Sequence, residues 1–217
     1  MKDKNLVLQL QELHDGILRM GVLVQEGLRK ALFALEMHDF DLAREVVVGD
    51  AAIDAMERSL DELTISIVQH QRPVAVDLRE LLSTAKITGA MERIGDHGRF
   101  IAEKARTITD PDFSDQLPLI RQMVEINLTM LQDFLTAYVE RDGVFARKIA
   151  TRDDQIDVIH KELKQQLVIV MTEHPELVEK GIDLVLVNRL LERLGDQITN
   201  MCEWVVFTTD ADHVELN

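Results

Sequence analysis

Two repeated acidic motifs are the part of this sequence best suited to chemistry. The segment 92–96 reads ERIGD, and one hundred residues later the segment 192–196 reads ERLGD. On a helix, residues four apart share a face, so Glu92 and Asp96 point the same way. Two like charges in this arrangement with a glycine between them destabilise a helix by roughly 1 kcal/mol. A cost taken twice at equivalent places indicates function or close packing, and paired carboxylates are ligands for metal cations.

A second acidic motif, D-x-x-I-D, is also repeated. It occupies residues 50–54 and 153–157, at an offset of 103 residues. Asp54 and Glu92 each lie nineteen residues from Pro73, so an antiparallel hairpin that turns at this proline is predicted to bring both motifs to the same height. Each half of the chain would then gather four carboxylates. The predicted metal ligands are Asp50, Asp54, Glu92 and Asp96 in the first half, and Asp153, Asp157, Glu192 and Asp196 in the second.

Four carboxylates at one level repel each other unless a cation compensates them. Oxygen ligands favour hard cations, so the motifs predict multinuclear clusters of iron, Mn²⁺ or Mg²⁺. Zn²⁺ is less favoured because it normally takes more imidazole or thiolate. The alternative is a salt-bridge network in which arginines of the same helices neutralise the acids. The candidates for that network are Arg93, Arg99, Arg189 and Arg193.

Four further side chains could extend the two clusters. Each lies three or seven residues beyond a motif aspartate and therefore on the same helical face. They are Glu57, Glu103, His160 and Glu203. A lone pair of acids four residues apart carries little weight in a chain with 39 acidic residues. The prediction depends instead on the order and spacing of the motifs in both halves.

Long helices are needed to hold these motifs, and the hydrophobic pattern predicts them throughout. Apolar residues recur at intervals of three and four, and strand-like alternation is missing. We predict six helices, over 4–37, 39–71, 74–108, 117–140, 142–172 and 175–208. Short connections make neighbouring helices antiparallel. The expected fold is all-α, with two tandem, pseudo-symmetric three-helix bundles at 1–110 and 115–217 and a linker over 109–116.

Composition limits the classes of function. The 217 residues carry 39 acidic and 24 basic side chains, a net charge of −15, so nucleic-acid binding is not expected without a basic patch. No apolar run is long enough to span a membrane and no secretory signal is present, so we expect a cytoplasmic protein. The single cysteine, Cys202, allows no internal disulfide. No phosphate-binding glycine loop or Ser/His/Asp arrangement indicates a hydrolase.

The ordered motifs resemble those of the PhoU family of phosphate-uptake regulators. The resemblance rests on the two D-x-x-I-D and two E-R-x-G-D motifs, on the segment 71–79 (QRPVAVDLR), and on residues 101–103 (IAE) after the first E-R-I-G-D-H. It spans nearly the whole chain. In the second half, Gln197 stands where the family pattern has histidine, and the segment 71–79 has no good copy.

This resemblance implies paired three-helix bundles that bind metal clusters through the acidic motifs and have no catalytic activity. It implies a negative regulator of phosphate uptake and phosphate-starvation signalling that acts by protein contact. The implied partners are the ATPase subunit of the phosphate-specific ABC transporter and a phosphate sensor histidine kinase. A homodimer is also implied, since many members of the family dimerise.

Two other classes of protein remain open. One is a structural helical adaptor whose acidic motifs are salt-bridged. The other is a di-metal carboxylate enzyme, which needs Glu-x-x-His pairs on facing helices. The chain has no such pair, and the nearest approaches are Asp157-x-x-His160 and Asp210-x-x-His213.

Overall fold

The protein is helical throughout the computed structural model, which describes residues 4–105 and 113–216. No strand occurs within these two ranges, and the predicted all-α fold is confirmed. The helices are α1 (Lys4–Met37), α2 (Phe40–Gln71), α3 (Ala75–Lys104), α4 (Leu117–Glu140), α5 (Gly143–Ala150), α6 (Asp153–Glu173) and α7 (Val178–Asp210), with a 3₁₀ turn at Pro175–Leu177.

Most helix boundaries agree with the sequence prediction. The bounds of α1 and α4 are those predicted, and α2 and α3 each begin one residue later than expected. The last predicted helix begins with the 3₁₀ turn, so regular α-helix starts only at Val178. The predicted end of the third helix beyond residue 105 and the linker residues 109–112 lie outside the described residues.

The second helix of each half begins in the same way. Asp39 and Asp142 are N-caps whose side chains accept a hydrogen bond from the backbone N–H three residues later, at 3.0 Å and 2.8 Å. The residues before them, His38 and Arg141, both have positive φ, of 54° and 53°. A left-handed residue followed by a capping aspartate ends one helix and starts the next. The offset of 103 residues matches that of the D-x-x-I-D motifs.

Each half of the chain forms a bundle. α1, α2 and α3 pack on one another, and α7 packs on α4, α5 and α6. Buried apolar side chains at helical spacing, such as Leu13, Ile17, Met20 and Val24 of α1, fill the interior. The buried residues of both bundles form one continuous hydrophobic core. Among the described helices, none combines the length and the hydropathy that a transmembrane segment requires.

The two bundles meet where α3 packs against α7 and α1 against α4. Three side-chain contacts order the α3–α7 pair: Ser83 Oγ with Thr208 Oγ1 at 2.8 Å, Arg93 Nε with Gln197 Oε1 at 3.0 Å, and Lys104 Nζ with Asp183 Oδ1 at 2.7 Å. Residue numbers rise along one helix as they fall along the other, so the helices are antiparallel. The E-R-x-G-D motifs of the two halves therefore lie side by side at the middle of this helix pair.

The single helix predicted over 142–172 is wrong in its first third, because the structure interrupts it at Thr151 and Arg152. The Thr151 hydroxyl donates to the backbone carbonyl of Lys148 at 2.9 Å. The backbone N–H of Arg152 donates to the carbonyl of Ile149, three residues earlier, at 3.0 Å. The Arg152 guanidinium pairs with Asp133 of α4 at 2.5 Å. A tertiary ion pair thus lies at the interruption, and Asp153 is the first residue of α6.

A buried carboxylate, Glu80 of α3, connects elements of both bundles. Its side chain is only 5% exposed, and Oε1 accepts from Arg141 Nη2 at 2.7 Å and lies 2.7 Å from His14 Nε2. Tyr138 packs edge-on against His14, with ring centroids 5.3 Å apart, and burial raises the pKa of its hydroxyl. Sequence reasoning did not single out this cluster, since a glutamate on a helix usually indicates a surface position.

Replacing Arg141 by methionine is expected to lower the free energy of unfolding by about 1–3 kcal/mol, because the buried Glu80 carboxylate loses a charged donor. The matched control is Arg147→Met, which removes the more exposed pair between Arg147 and Asp210 (3.0 Å). That loss should stay below about 1 kcal/mol. Urea denaturation of both variants measures the difference, and equal losses would show that Glu80 does not depend on Arg141.

Candidate metal centre

The motif glycines lie against the acidic motif of the neighbouring helix. A Cβ atom built on Gly95 would lie 2.9 Å from Ile53 Cδ1 and 3.4 Å from Asp50 Oδ1. A Cβ atom built on Gly195 would overlap Asp153 Oδ1. The structure therefore brings D-x-x-I-D and E-R-x-G-D together at the same level in each bundle, between α2 and α3 and between α6 and α7.

An arginine lies among the carboxylates of the first cluster. Arg99 Nε lies 2.9 Å from Asp50 Oδ2, Nη2 lies 2.8 Å from Asp96 Oδ1, and Nη1 lies 2.8 Å from Glu103 Oε1. The hydrogen bond to Asp96 is the main reason why the pKa of Arg99 is raised. At this cluster the geometry matches the salt-bridge alternative, because a single guanidinium compensates three of the predicted or possible ligands.

The remaining acids of the first cluster influence one another. Burial raises the pKa of Glu92, and the negative charges of Asp96, Glu57 and Asp54 raise it further. Burial also raises the pKa of Glu57, with smaller contributions from Asp61 and Asp54. Asp54, Glu57 and Glu92 thus lie close enough for their charges to interact, as carboxylates do when they share a site.

Two buried carboxylate oxygens of the second cluster lack a donor. Asp153 Oδ1 and Glu192 Oε2 accept no hydrogen bond from any residue that the structure describes. The other oxygen of Glu192 lies 2.6 Å from Arg189 Nη1. Burial, followed by the charges of Asp196, Asp157 and Glu192, raises the pKa of Asp153 to about 7. This carboxylate is therefore costly to ionise in the absence of a cation.

The other predicted residues of the second half have different surroundings. Asp157 pairs with Lys161 on its own helix at 3.1 Å. The backbone oxygen of His160 accepts from Asn188 Nδ2 at 3.0 Å, which places this histidine at the α6–α7 contact. Glu203 Oε1 accepts from the backbone N–H of Leu216 at 2.8 Å, so its carboxylate holds the C-terminal tail. Of the weaker candidates, Glu57 and Glu103 lie beside the first cluster.

The donor chemistry of the two clusters fits a cation to different degrees. Over residues 4–105 and 113–216, no group of three or more Asp, Glu, His or Cys side chains is arranged so that it could hold a metal ion. In the second cluster, the two buried oxygens without donors fit a cation, because such oxygens are destabilising until a cation or water satisfies them. In the first cluster, Arg99 takes the place of a cation. The assignment of the eight carboxylates as ligands stays a prediction.

The PhoU domain family matches this chain twice, over residues 17–105 and 120–205. The first match falls on α1 to α3, and the second falls on α4 to α7. Both matches include the acidic motifs of their bundle.

Individual relatives match nearly the full length. The phosphate-specific transport system accessory protein PhoU homolog of Clostridium acetobutylicum is 33% identical over 209 residues, which cover 96% of this chain and 95% of the relative. The crystal structure of PhoU from Pseudomonas aeruginosa matches with a TM-score of 0.90 at 29% identity and covers 94% of this chain and 99% of that one. The crystal structure of the phosphate transport system regulatory protein PhoU from Streptococcus pneumoniae matches with a TM-score of 0.89 at 29% identity. It covers 97% of this chain and 99% of that one.

Replacing Gly195 by alanine is expected to lower the free energy of unfolding by about 1–3 kcal/mol, because the new Cβ would displace the Asp153 carboxylate. The matched control is Gly49→Ala on α2, where nothing lies within 4 Å of the new Cβ. That change should stabilise the helix by up to about 1 kcal/mol. Thermal denaturation compares the variants, and a stabilised G195A would contradict the close contact.

The Asp153 carboxyl should make the metal-free protein less stable as the pH rises. Asp153 has a folded-state pKa of about 7 against an ordinary value of 3.8. The folded state therefore keeps a proton that the unfolded chain releases, and the contribution of Asp153 to the free energy of unfolding falls between about pH 4 and pH 7. In urea denaturation with a chelator present, Asp153→Asn should reduce this slope, whereas Asp41→Asn at an exposed position of α2 should leave it unchanged. Equal slopes in all three proteins would refute the expectation.

Proposed function

This chain belongs to the PhoU family, and on that basis we propose that it is a negative regulator of phosphate uptake and phosphate-starvation signalling. It is a regulatory accessory protein and not an enzyme. The observation that carries the proposal is the family match over both bundles. The relatives that this chain matches over nearly their full length are named as proteins of phosphate transport systems.

In this proposal the protein acts by contact with the ATPase subunit of the phosphate-specific ABC transporter and with a phosphate sensor histidine kinase. Its place of action is the cytoplasm, and it works as a homodimer. A regulator of this kind needs a contact surface with more than one conformation, so that its affinity for a partner can change. The helices that carry the acidic motifs could provide such a surface.

Exposed apolar residues on these helices support a contact surface. α3 packs against α1, α2 and α7. Leu78 and Leu82 of α3 are nevertheless exposed, and they precede Glu92 by the same intervals as Val178 and Ile182 precede Glu192. The middle helices add Ile65 and Val168, each fifteen residues after the first aspartate of its motif. Because α3 and α7 are antiparallel, the equivalent residues of the two halves lie at opposite ends of this helix pair. Exposed apolar residues of this kind are typical of protein contact sites.

The metal clusters would hold this surface in shape. Asp50 and Asp54 of α2 would share cations with Glu92 and Asp96 of α3, and the four equivalent carboxylates of the second bundle would do the same for α6 and α7. The cation, which could be iron, Mn²⁺, Mg²⁺ or Zn²⁺, would supply positive charge that compensates the carboxylates. Loss of the cation would loosen the pairing of two helices while most of the helical structure remains.

The double variant Glu92→Ala, Asp96→Ala tests this role. We expect it to keep its helical circular dichroism, to bind less metal, and to lose affinity for both partners, because α2 and α3 are no longer held together at the cluster. Binding to the purified ATPase subunit and kinase is measured together with phosphate-regulated gene expression in cells. The matched control is Asp41→Ala, Glu45→Ala, which removes two exposed acids four residues apart on α2.

Two outcomes would contradict the proposal at different points. If the cluster variant lacks metal yet binds both partners and represses normally, the clusters are incidental to regulation. If the wild-type protein binds neither partner, the proposed contacts themselves are wrong.

A further inference from the structure

The two clusters differ in the residue that follows the last motif aspartate by three positions. In the first half this residue is Arg99, whose guanidinium bonds to three carboxylates at 2.8 to 2.9 Å. In the second half it is Thr199, which is fully buried and whose hydroxyl has no hydrogen-bond partner among the described residues. The second cluster has instead Arg189, which reaches one oxygen of Glu192 and stands at the position equivalent to Gly89.

We propose that Arg99 is a built-in cation that competes with metal at the first cluster, so that the second cluster binds metal more tightly and fills first. The proposal rests on the metal-binding part of the function proposed above. The two clusters then differ in metal affinity. The second holds a metal ion at low free cation concentration, and the first binds one only when that concentration rises.

The first step of the argument is that Arg99 must move before metal can bind beside it. A guanidinium cannot be deprotonated in a protein, so it cannot be neutralised in place. Its bonds occupy Asp50 Oδ2 and Asp96 Oδ1, and its positive charge repels a metal ion at the remaining oxygens. Charge-assisted bonds of this kind are the stronger hydrogen bonds in proteins. Metal binding at the first cluster therefore includes the free energy of breaking them.

The second step is that two oxygens of the second cluster carry no such cost. Asp153 Oδ1 and Glu192 Oε2 are buried, and no described residue donates to them. Arg189 Nη1 lies 2.6 Å from Glu192 Oε1 and Lys161 Nζ lies 3.1 Å from Asp157 Oδ2, but neither contact uses these two oxygens. A cation that binds there replaces no hydrogen bond to these two oxygens and relieves the repulsion between the carboxylates. The same ion should therefore bind more tightly at the second cluster than at the first.

The third step is that Arg99 has an alternative position within reach. Its side chain is 36% exposed, and it also bonds Glu103, which lies on the same helix one turn further on and is 42% exposed. The guanidinium can keep this exposed partner while it releases Asp50 and Asp96. The first cluster thus has two arrangements, one closed by the arginine and one open to a cation, and the free cation concentration sets the balance between them.

Titration of the full chain with Mn²⁺ after removal of bound metal tests the proposal. Bound ions are counted by native mass spectrometry, and free Mn²⁺ is measured by electron paramagnetic resonance. We expect a tight and a weak class of ions in the wild type, with affinities that differ by about tenfold or more. Glu192→Gln should abolish the tight class, and Glu92→Gln should abolish the weak class.

The decisive variant is Arg99→Gln, which removes the charge and keeps a long polar side chain. The weak class should tighten by about tenfold or more, because no cation has to leave the first cluster. The matched control is Arg147→Gln, which removes a guanidinium that pairs with Asp210 at the far end of α7. This control should bind Mn²⁺ as the wild type does.

A second measurement separates competition from a merely structural role of Arg99. Without metal, R99Q should melt at a lower temperature than the wild type, because its carboxylates have lost their compensating charge. With saturating Mn²⁺, its melting temperature should rise more than that of the wild type. A structural arginine would give the first effect without the second.

The outcomes distinguish the inference from the function on which it rests. If the wild type binds no Mn²⁺, the metal part of the proposed function fails, and the competition fails with it. If the wild type binds Mn²⁺ but R99Q binds it no more tightly, only the competition is wrong. Loss of the tight class in E92Q would also overturn the proposed order of filling.

Discussion

The close approach of two glycines to the neighbouring helix is the contact on which the rest of the structure depends. Gly95 has Ile53 and Asp50 where a side chain would otherwise stand, and Gly195 has Asp153 in the same relation. Because neither glycine carries a Cβ, the middle and last helices of each bundle pack closely at the level of the acidic motifs. The carboxylates are consequently half-buried and close to one another, and this explains the raised pKa values of several of them.

The contact between α3 and α7 joins the two clusters into one molecule. These helices run antiparallel, and Arg93 reaches across to Gln197 between the two E-R-x-G-D motifs. At one end of the pair, the buried Glu80 carboxylate is held by residues of α1 and of the α4–α5 turn. The bundles therefore share a core and several polar contacts. A movement of α3 relative to α2 would disturb the packing of α3 against α7 of the other bundle.

Much of this fold could be predicted from the sequence, because the signals are local. The bounds of α1 and α4 follow from hydrophobic spacing, and the capping aspartates Asp39 and Asp142 mark helix starts wherever the chain goes. The interruption before Asp153 could not be predicted in this way. It coincides with the pairing of Arg152 with Asp133, which is a contact between helices that the local sequence does not reveal.

The candidate site could be predicted only in part, because its ion pairs also depend on contacts between helices. Motif spacing indicated which acids would meet, but it could not decide which arginines would reach them. Arg93 and Arg99 are both close to Asp96 in the sequence, yet Arg93 contacts the other bundle and Arg99 contacts the first cluster. That choice is made by helix packing, and it decides how far each cluster still needs a cation.

The covalent connection of the two bundles has a consequence for evolution. In a symmetric assembly of single-bundle chains, one codon would specify the same residue at both sites, and every substitution would change both together. Here positions 99 and 199 are encoded separately, so one site can keep an arginine while the other carries a threonine. The tandem chain can therefore give two different tasks to two copies of one architecture.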